Sequence, residues 1–194
     1  MIAGVVLAGG RARRMGGGDK ALVVLGEVPM LAHVVARVRP QVDALALNAN
    51  GDAGRFAAFG LPVLADTVPG HPGPLAGVLA GMRWAAGLGA ADLLSVPTDT
   101  PFLPGDLVAR LVAGRGAAAV ACAASGGFVH PVVALWRVGL ADALEAALAA
   151  GTRRVEGWMR ARGLAEVDFA DEGGDPFANV NTPEELSAAQ ARLG

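Results

Sequence analysis

Short apolar runs alternate with segments of helical periodicity along the whole chain. Runs over 4–7, 44–47, 62–65, 92–96, 118–123, 129–135 and 166–169 are dense in Val, Leu and Ala and predict strands. Between them, 29–38, 74–86, 104–113, 139–150, 153–162 and 183–193 predict helices. Leu31, Val34, Val35 and Val38 recur at helical spacing, as do Leu107, Leu111 and Val112. Pro29, Pro74, Pro104 and Pro183 open four of these segments, where the missing amide hydrogen costs nothing. Thr182 with Glu185 three residues on reads as a capping box. This βαβα alternation, with strands too apolar to face water, implies a mostly parallel sheet covered by helices on both faces. No repeat, charge block or linker divides the chain, so one α/β domain is expected over residues 1–194.

In such a fold ligands bind beyond the carboxyl ends of the strands. The polar residues directly after apolar runs are therefore the candidates: the stretch 9–20, then 48–50, Asp66, and Thr98 with Asp99. Four consecutive strands should deliver them to one rim.

Composition narrows the function. Apolar residues make up 53% of the 194 and charged residues 18%, enough for a large core. A formal net charge of −2 argues against a general nucleic-acid or membrane-surface binder. The lone cysteine, Cys122, excludes a disulfide framework, and with three scattered histidines it makes no structural zinc site. No apolar stretch reaches the ~18 residues a membrane span needs, and the N-terminus lacks a basic region and cleavage site. A cytoplasmic enzyme is expected. One count is sharper: of sixteen basic residues, all but Lys20 are arginine. A compact ammonium on a glycine-rich loop points to a specific task.

That loop runs Leu7-Ala8-Gly9-Gly10-Arg11-Ala12-Arg13-Arg14-Met15-Gly16-Gly17-Gly18-Asp19-Lys20. Glycines let backbone amides approach phosphate oxygens, and four cations stand here against one acid, as a polyphosphate would require. It is no Walker A loop, because Asp19-Lys20-Ala21 lacks both the preceding glycine and the Mg²⁺-binding hydroxyl. A dinucleotide fold is also disfavoured, since the second strand ends in Asn48 rather than a ribose-binding acid. On the opposite side, Asp99 follows an apolar strand on the turn Pro97-Thr98-Asp99-Thr100-Pro101, a suitable anchor for Mg²⁺. Asp106 reads better as a helix cap. Pro72-Gly73-Pro74-Leu75-Ala76-Gly77 opens a helix whose amides suit an anion or a base edge, although tight helix–sheet packing demands the same glycines. His130, before a proline at a strand start, packs or orients substrate, and Cys122 packs as a small apolar residue.

Taken together, residues 7–20, 72–77 and 97–104, His130-Pro131 with Ala134-Leu135-Trp136, and Asn179-Val180-Asn181-Thr182-Pro183-Glu184-Glu185-Leu186 resemble the molybdenum cofactor guanylyltransferase (MobA) family almost end to end. The resemblance implies a Rossmann-like, three-layer nucleotidyltransferase fold. It implies that Leu7, Ala8, Gly9 and Gly10 meet the nucleotide, that Lys20, Arg14 and Gly17 serve its phosphates, and that Asn48, Asp66 and Gly77 lie near guanine or ribose. Asp99 would bind GTP and Mg²⁺, while Asn179, Asn181 and Arg153 or Arg154 would face molybdopterin. The implied reaction is GMP transfer from GTP to the terminal phosphate of molybdopterin or its molybdenum-loaded form, with partner proteins that deliver or accept the cofactor. A phosphate nucleophile is already ionised at neutral pH, so positioning and charge neutralisation suffice without a general base. The alternative is a related transferase using CTP, or one acting on another phosphorylated acceptor such as a sugar phosphate.

Overall fold

A computed structural model of the chain describes residues 1–9, 18–68, 73–152, 154–169 and 174–193. In chain order the strands and helices are β1 (Ile2–Leu7), β2 (Val24–Leu25), β3 (Val28–Pro29), α1 (Met30–Val38), β4 (Ala44–Asn48), β5 (Val63–Leu64), α2 (Pro74–Gly87), β6 (Asp92–Pro97), α3 (Leu107–Arg115), β7 (Val120–Ser125), β8 (Phe128–Arg137), α4 (Ala141–Ala149), α5 (Val155–Arg162), β9 (Leu164–Asp168) and α6 (Pro183–Leu193). Seven strands form one sheet in the order β5-β4-β1-β6-β8-β7-β9, and β2 pairs with β3 as a separate hairpin. Among the described residues, β8 alone runs against its neighbours, and every other pairing in the large sheet is parallel. The fold is the mostly parallel, three-layer α/β arrangement expected.

Period-two alternation explains the layers, because successive strand residues face opposite sides. Val6, Leu45, Leu47, Leu94 and Val96 join α1 and α3 in one buried cluster. Their neighbours Ala3, Val5 and Leu93 join α2, α4 and α5 in the other. A third, smaller cluster seats the β2–β3 hairpin on α6 through Leu25, Met30, Val180 and Ala189. The hairpin is absent from the sequence reading, since two-residue strands carry no readable period.

Helix ends differ where a partner remote in sequence supplies the cap. The segment predicted from Pro104 begins at Leu107, and Asp106 occupies the cap position without a side-chain hydrogen bond. Instead Gln41 Oε1 accepts the Val108 amide at 3.0 Å, while its Nε2 donates to the Pro104 carbonyl at 2.9 Å. The capping box at α6 forms as read: Glu185 N donates to Thr182 Oγ1 at 3.2 Å, and the Glu185 carboxylate accepts from Thr182 N at 3.1 Å. That carboxylate also accepts the Asn181 amide at 2.6 Å, so the cap steadies the residue before the helix.

Register decides where function can sit. Leu7 at the end of β1 stands opposite both Asn48 on β4 and Pro97 on β6, so these three strands finish level. Leu64 of β5 pairs with Asn48, which carries Asp66 to the same rim. The chain departs from β1 in opposite directions across the sheet, to β4 on one side and β6 on the other, and this divergence opens a crevice above β1.

Far from that rim, the start of β6 carries a buried ion pair. Arg115 and Asp92 meet at 2.5 and 3.2 Å with 7% and 10% of their side chains exposed, while Arg137 lies 3.5 Å away and is half exposed. Arg115→Met leaves the buried carboxylate only the long, half-exposed contact to Arg137, so unfolding free energy in urea is expected to fall by about 3 kcal/mol. Arg137→Met, at the solvent edge, should cost under about 1 kcal/mol. Equal losses would show that burial does not govern this pair. Cys122 is fully buried, and desolvation pushes its thiol up to about 12. A maleimide at pH 8 should therefore label it only after denaturation.

Candidate active site

The crevice above β1 is a cleft of about 520 Å³ lined by residues of four strand ends and the first turn of α2. Lys20 and Asp99, separated by 79 positions in sequence, meet inside it: Lys20 Nζ donates to Asp99 Oδ2 at 2.6 Å. Lys20 Nζ also donates to Asn181 Oδ1. Lys20 is 8% exposed, and two acceptors replace the water its ammonium gives up. Asp19 precedes it and is clamped in turn, its Oδ2 accepting from Arg55 Nε at 2.7 Å. Arg55 spans to the Asn50 carbonyl at 2.9 Å and lies over the Phe56 ring, so the lysine's approach is set from a separate segment.

At the other end of the cleft, Asn48 Nδ2 spends both hydrogens, donating to the Leu64 carbonyl at 3.1 Å and to Asp66 Oδ1 at 3.0 Å. Asn50 holds the second oxygen of Asp66 at 2.8 Å and accepts the Asp66 amide at 2.9 Å. The result is a fixed acceptor surface of carboxylate and amide oxygens. Gly77 is required beside it, because a Cβ there would stand 2.2 Å from Asn48 Oδ1 and 2.8 Å from Leu7 Cδ2. Gly77 itself is buried; Gly73 and Pro74 line the cleft above it. Leu7 and Gly9 line the cleft too, whereas Ala8 is buried beneath, its amide donating to the Asn48 carbonyl at 2.8 Å. Gly10, Arg14, Gly17 and Arg153 lie outside the described residues.

A second hollow of about 290 Å³ adjoins the first and shares Pro97, Asp99 and Val132 with it. His130, Pro131, Thr100 and Asn179 complete its wall. Its shape comes from an irregularity in β8: Cys122 of β7 pairs with Ala134, yet the next residue, Ala123, pairs with His130. Residues 131–133 therefore bulge out of the ladder, which accommodates a proline within a strand. The Val132 carbonyl, lost to the ladder, accepts from Ser95 Oγ at 2.8 Å. His130 is thus the third residue of β8 rather than its start, and burial lowers its basicity, favouring the neutral imidazole.

The closing segment reaches both hollows. Val180 N donates to the Asp99 carbonyl at 2.9 Å, which fixes Asn179 beside the second hollow and Asn181 on Lys20. The resemblance assigns both asparagines to molybdopterin, and the geometry divides them. Arg154 stands exposed at the start of α5 and lines neither hollow. Asn50 lines the cleft, as its place after an apolar run predicts, whereas Arg55 and Val132 enter the site without a sequence signal, because each depends on a long-range contact. Among the described residues no group of three or more His, Cys, Asp or Glu could hold a metal by itself. A single partly exposed carboxylate at Asp99 nevertheless suits a cation that arrives with phosphate oxygens of its own.

Residues 4–167 match the family described as the MobA-like NTP transferase domain. The chain is 54% identical over 192 residues to the molybdenum cofactor guanylyltransferase of Cereibacter sphaeroides, covering 98% of this chain and 96% of that one. It is 55% identical over 188 residues to the protein of the same name from Acidiphilium cryptum, covering 96% and 93%. Among solved structures, molybdopterin-guanine dinucleotide biosynthesis protein A from Archaeoglobus fulgidus superposes with a TM-score of 0.79, at 21% identity and 100% and 98% coverage. A crevice at the strand crossover, a buried lysine and a lone acid facing it, and likeness over nearly the full length agree: the chain belongs to the molybdenum cofactor guanylyltransferases of the MobA-like NTP transferase family and is a nucleotidyltransferase.

Proposed function

We propose that the protein transfers GMP from GTP to the terminal phosphate of molybdopterin in the presence of Mg²⁺, releasing pyrophosphate. The observation that carries this reading is the meeting of Lys20 and Asp99 at 2.6 Å, between one hollow ending in Asn48 and Asp66 and another ending in His130 and Asn179. A nucleotide lying along the first hollow puts its base or ribose on the Asn48–Asp66 acceptor surface and its phosphates at Lys20. The acceptor approaches from the second hollow, and the two substrates meet at the residues the hollows share.

The chemistry asks little of the protein beyond placement. An acceptor phosphate oxygen attacks the α-phosphorus in line, the new P–O bond forms, and the bond to the bridging oxygen breaks with its electron pair leaving on pyrophosphate. Lys20 compensates the negative charge that accumulates there, and Asn181 holds the ammonium in place before substrate arrives. Asp99 would hold Mg²⁺, which when bound supplies charge neutralisation to the phosphates. In the free enzyme the two groups neutralise each other. Nucleotide binding would exchange that pair for two new ones, Lys20 with phosphate and Asp99 with the cation it would hold, leaving neither charge bare.

Asp99→Asn is expected to lower kcat by at least ~10²-fold in a pyrophosphate-release assay with Mg²⁺-GTP and molybdopterin. Mass detection of the dinucleotide identifies the product, and the same assay with ATP, CTP and UTP identifies the base. Activity of Asp99→Asn equal to wild type at saturating Mg²⁺ removes the carboxylate from the reaction, and a preference for CTP or for a sugar phosphate acceptor replaces the proposed substrates. Gly77→Ala displaces the Asn48 amide, so the KM for GTP should rise about tenfold while that for the acceptor stays level. A rise confined to the acceptor would move the base-binding end elsewhere.

A further inference from the structure

His130, Ser125 and Asp175 form a hydrogen-bonded chain that the proposed phosphoryl chemistry does not use. Ser125 Oγ lies 2.7 Å from His130 Nε2 and donates to Asp175 Oδ1 at 2.8 Å. The order is Ser in the middle, which differs from a nucleophile-activating triad, where the imidazole is central. A hydroxyl has one hydrogen, and here the carboxylate takes it. Nε2 must then be the donor in its own bond with Ser125, and the neutral ring keeps its lone pair on Nδ1. The remaining contacts hold this arrangement rigid. Ser125 is 3% exposed at the end of β7, and Asp175 Oδ1 also accepts the Phe177 amide at 2.9 Å. The Phe177 ring lies 4.7 Å from the imidazole, and Arg192 of α6 ties down the carbonyls of Gly174 and Asp175. Among the described residues Nδ1 has no hydrogen-bond partner, and His130 lines the second hollow, not the first.

We propose that Ser125 and Asp175 lock His130 in one tautomer so that its Nδ1 accepts a hydrogen bond from an N–H group of a heterocyclic acceptor substrate. Ser125 and Asp175 are positioning residues; His130 is the specificity-determining contact. The proposal rests on the reading of the second hollow as the acceptor site. An acceptor lacking an N–H donor leaves this lone pair unsatisfied, and the site selects against it.

Two measurements on the full-length enzyme separate the lock from its use. Nitrogen-15 NMR of the histidine side chains at pH 7.5 should show the His130 signal, assigned by its loss in His130→Gln and so separated from that of His33, whose Nε2 faces the Leu25 carbonyl at 2.8 Å, protonated at Nε2 only, and Ser125→Ala should convert it to a tautomer mixture. Observation of His130 protonated at Nδ1 in the wild type overturns the lock whatever the substrates are. In steady-state assays Ser125→Ala is expected to raise the KM for the acceptor about fivefold, with the KM for GTP unchanged and Ser125→Thr restoring the wild-type value. An unaltered acceptor KM in Ser125→Ala, with the tautomer mixture seen, overturns the recognition role. Equal rises in both KM values with a lowered melting temperature assign Ser125 to structure alone and equally reject the proposal. The NMR result stands independently of molybdopterin, so failure of the proposed acceptor is distinguishable from failure of the lock.

Discussion

One ammonium group joins three parts of the chain that sequence holds far apart. Lys20 leaves the glycine-rich loop after β1, finds the Asp99 carboxylate beyond β6, and is shared with Asn181 just before α6. With 8% exposure it has little water to fall back on, and both acceptors are needed to offset its desolvation. Asp99, the more exposed of the two, depends on the pair less, because water still reaches part of its side chain. Under the proposed function, a ligand that brings negative charge for the lysine and a cation for the carboxylate would replace each partner without leaving either unpaired.

Everything else in the site depends on how that meeting is held. Level strand ends at Leu7, Asn48 and Pro97 set the rim, and the divergence of the chain on either side of β1 opens it. Arg55 fixes Asp19, the Val180 amide fixes the Asp99 backbone, and the capping carboxylate of Glu185 fixes the Asn181 amide. These supports come from loops and a helix end. The parallel strands supply the floor, and their buried Val and Leu side chains on both faces keep it from shifting.

The two halves of the cleft differ in what they offer a ligand. Asn48 and Asp66 present oxygens whose positions are set by neighbouring amides, a surface suited to hydrogen-bond donors on a base or sugar. The second hollow is shaped by the bulge at 131–133, where Pro131 interrupts the ladder and Ser95 repairs the lost carbonyl bond. Such a departure from regular pairing places backbone and side chains of β8 where a straight strand could not reach. His130 is held on that strand by a serine from the adjacent strand and an acid from the segment after β9.

Periodicity was enough for the layers. Apolar runs gave the sheet strands to within a few residues, helical spacing and helix-forming composition gave the six α-helices of the described residues, and Thr182 with Glu185 gave a cap that forms as read. The polar residues Lys20, Asn48, Asp66 and Asp99 were visible because each follows an apolar run, and a parallel sheet sends all such positions to one edge. These are local signals, written in spacing and in the chemistry of single side chains. The β2–β3 hairpin, the Gln41 contact that replaces an Asp106 cap, the placement of Asn181 on Lys20, and the Ser125–His130–Asp175 chain have no such signature. Each is fixed by contacts between residues distant along the chain, and only the closed sheet brings those partners within hydrogen-bonding reach.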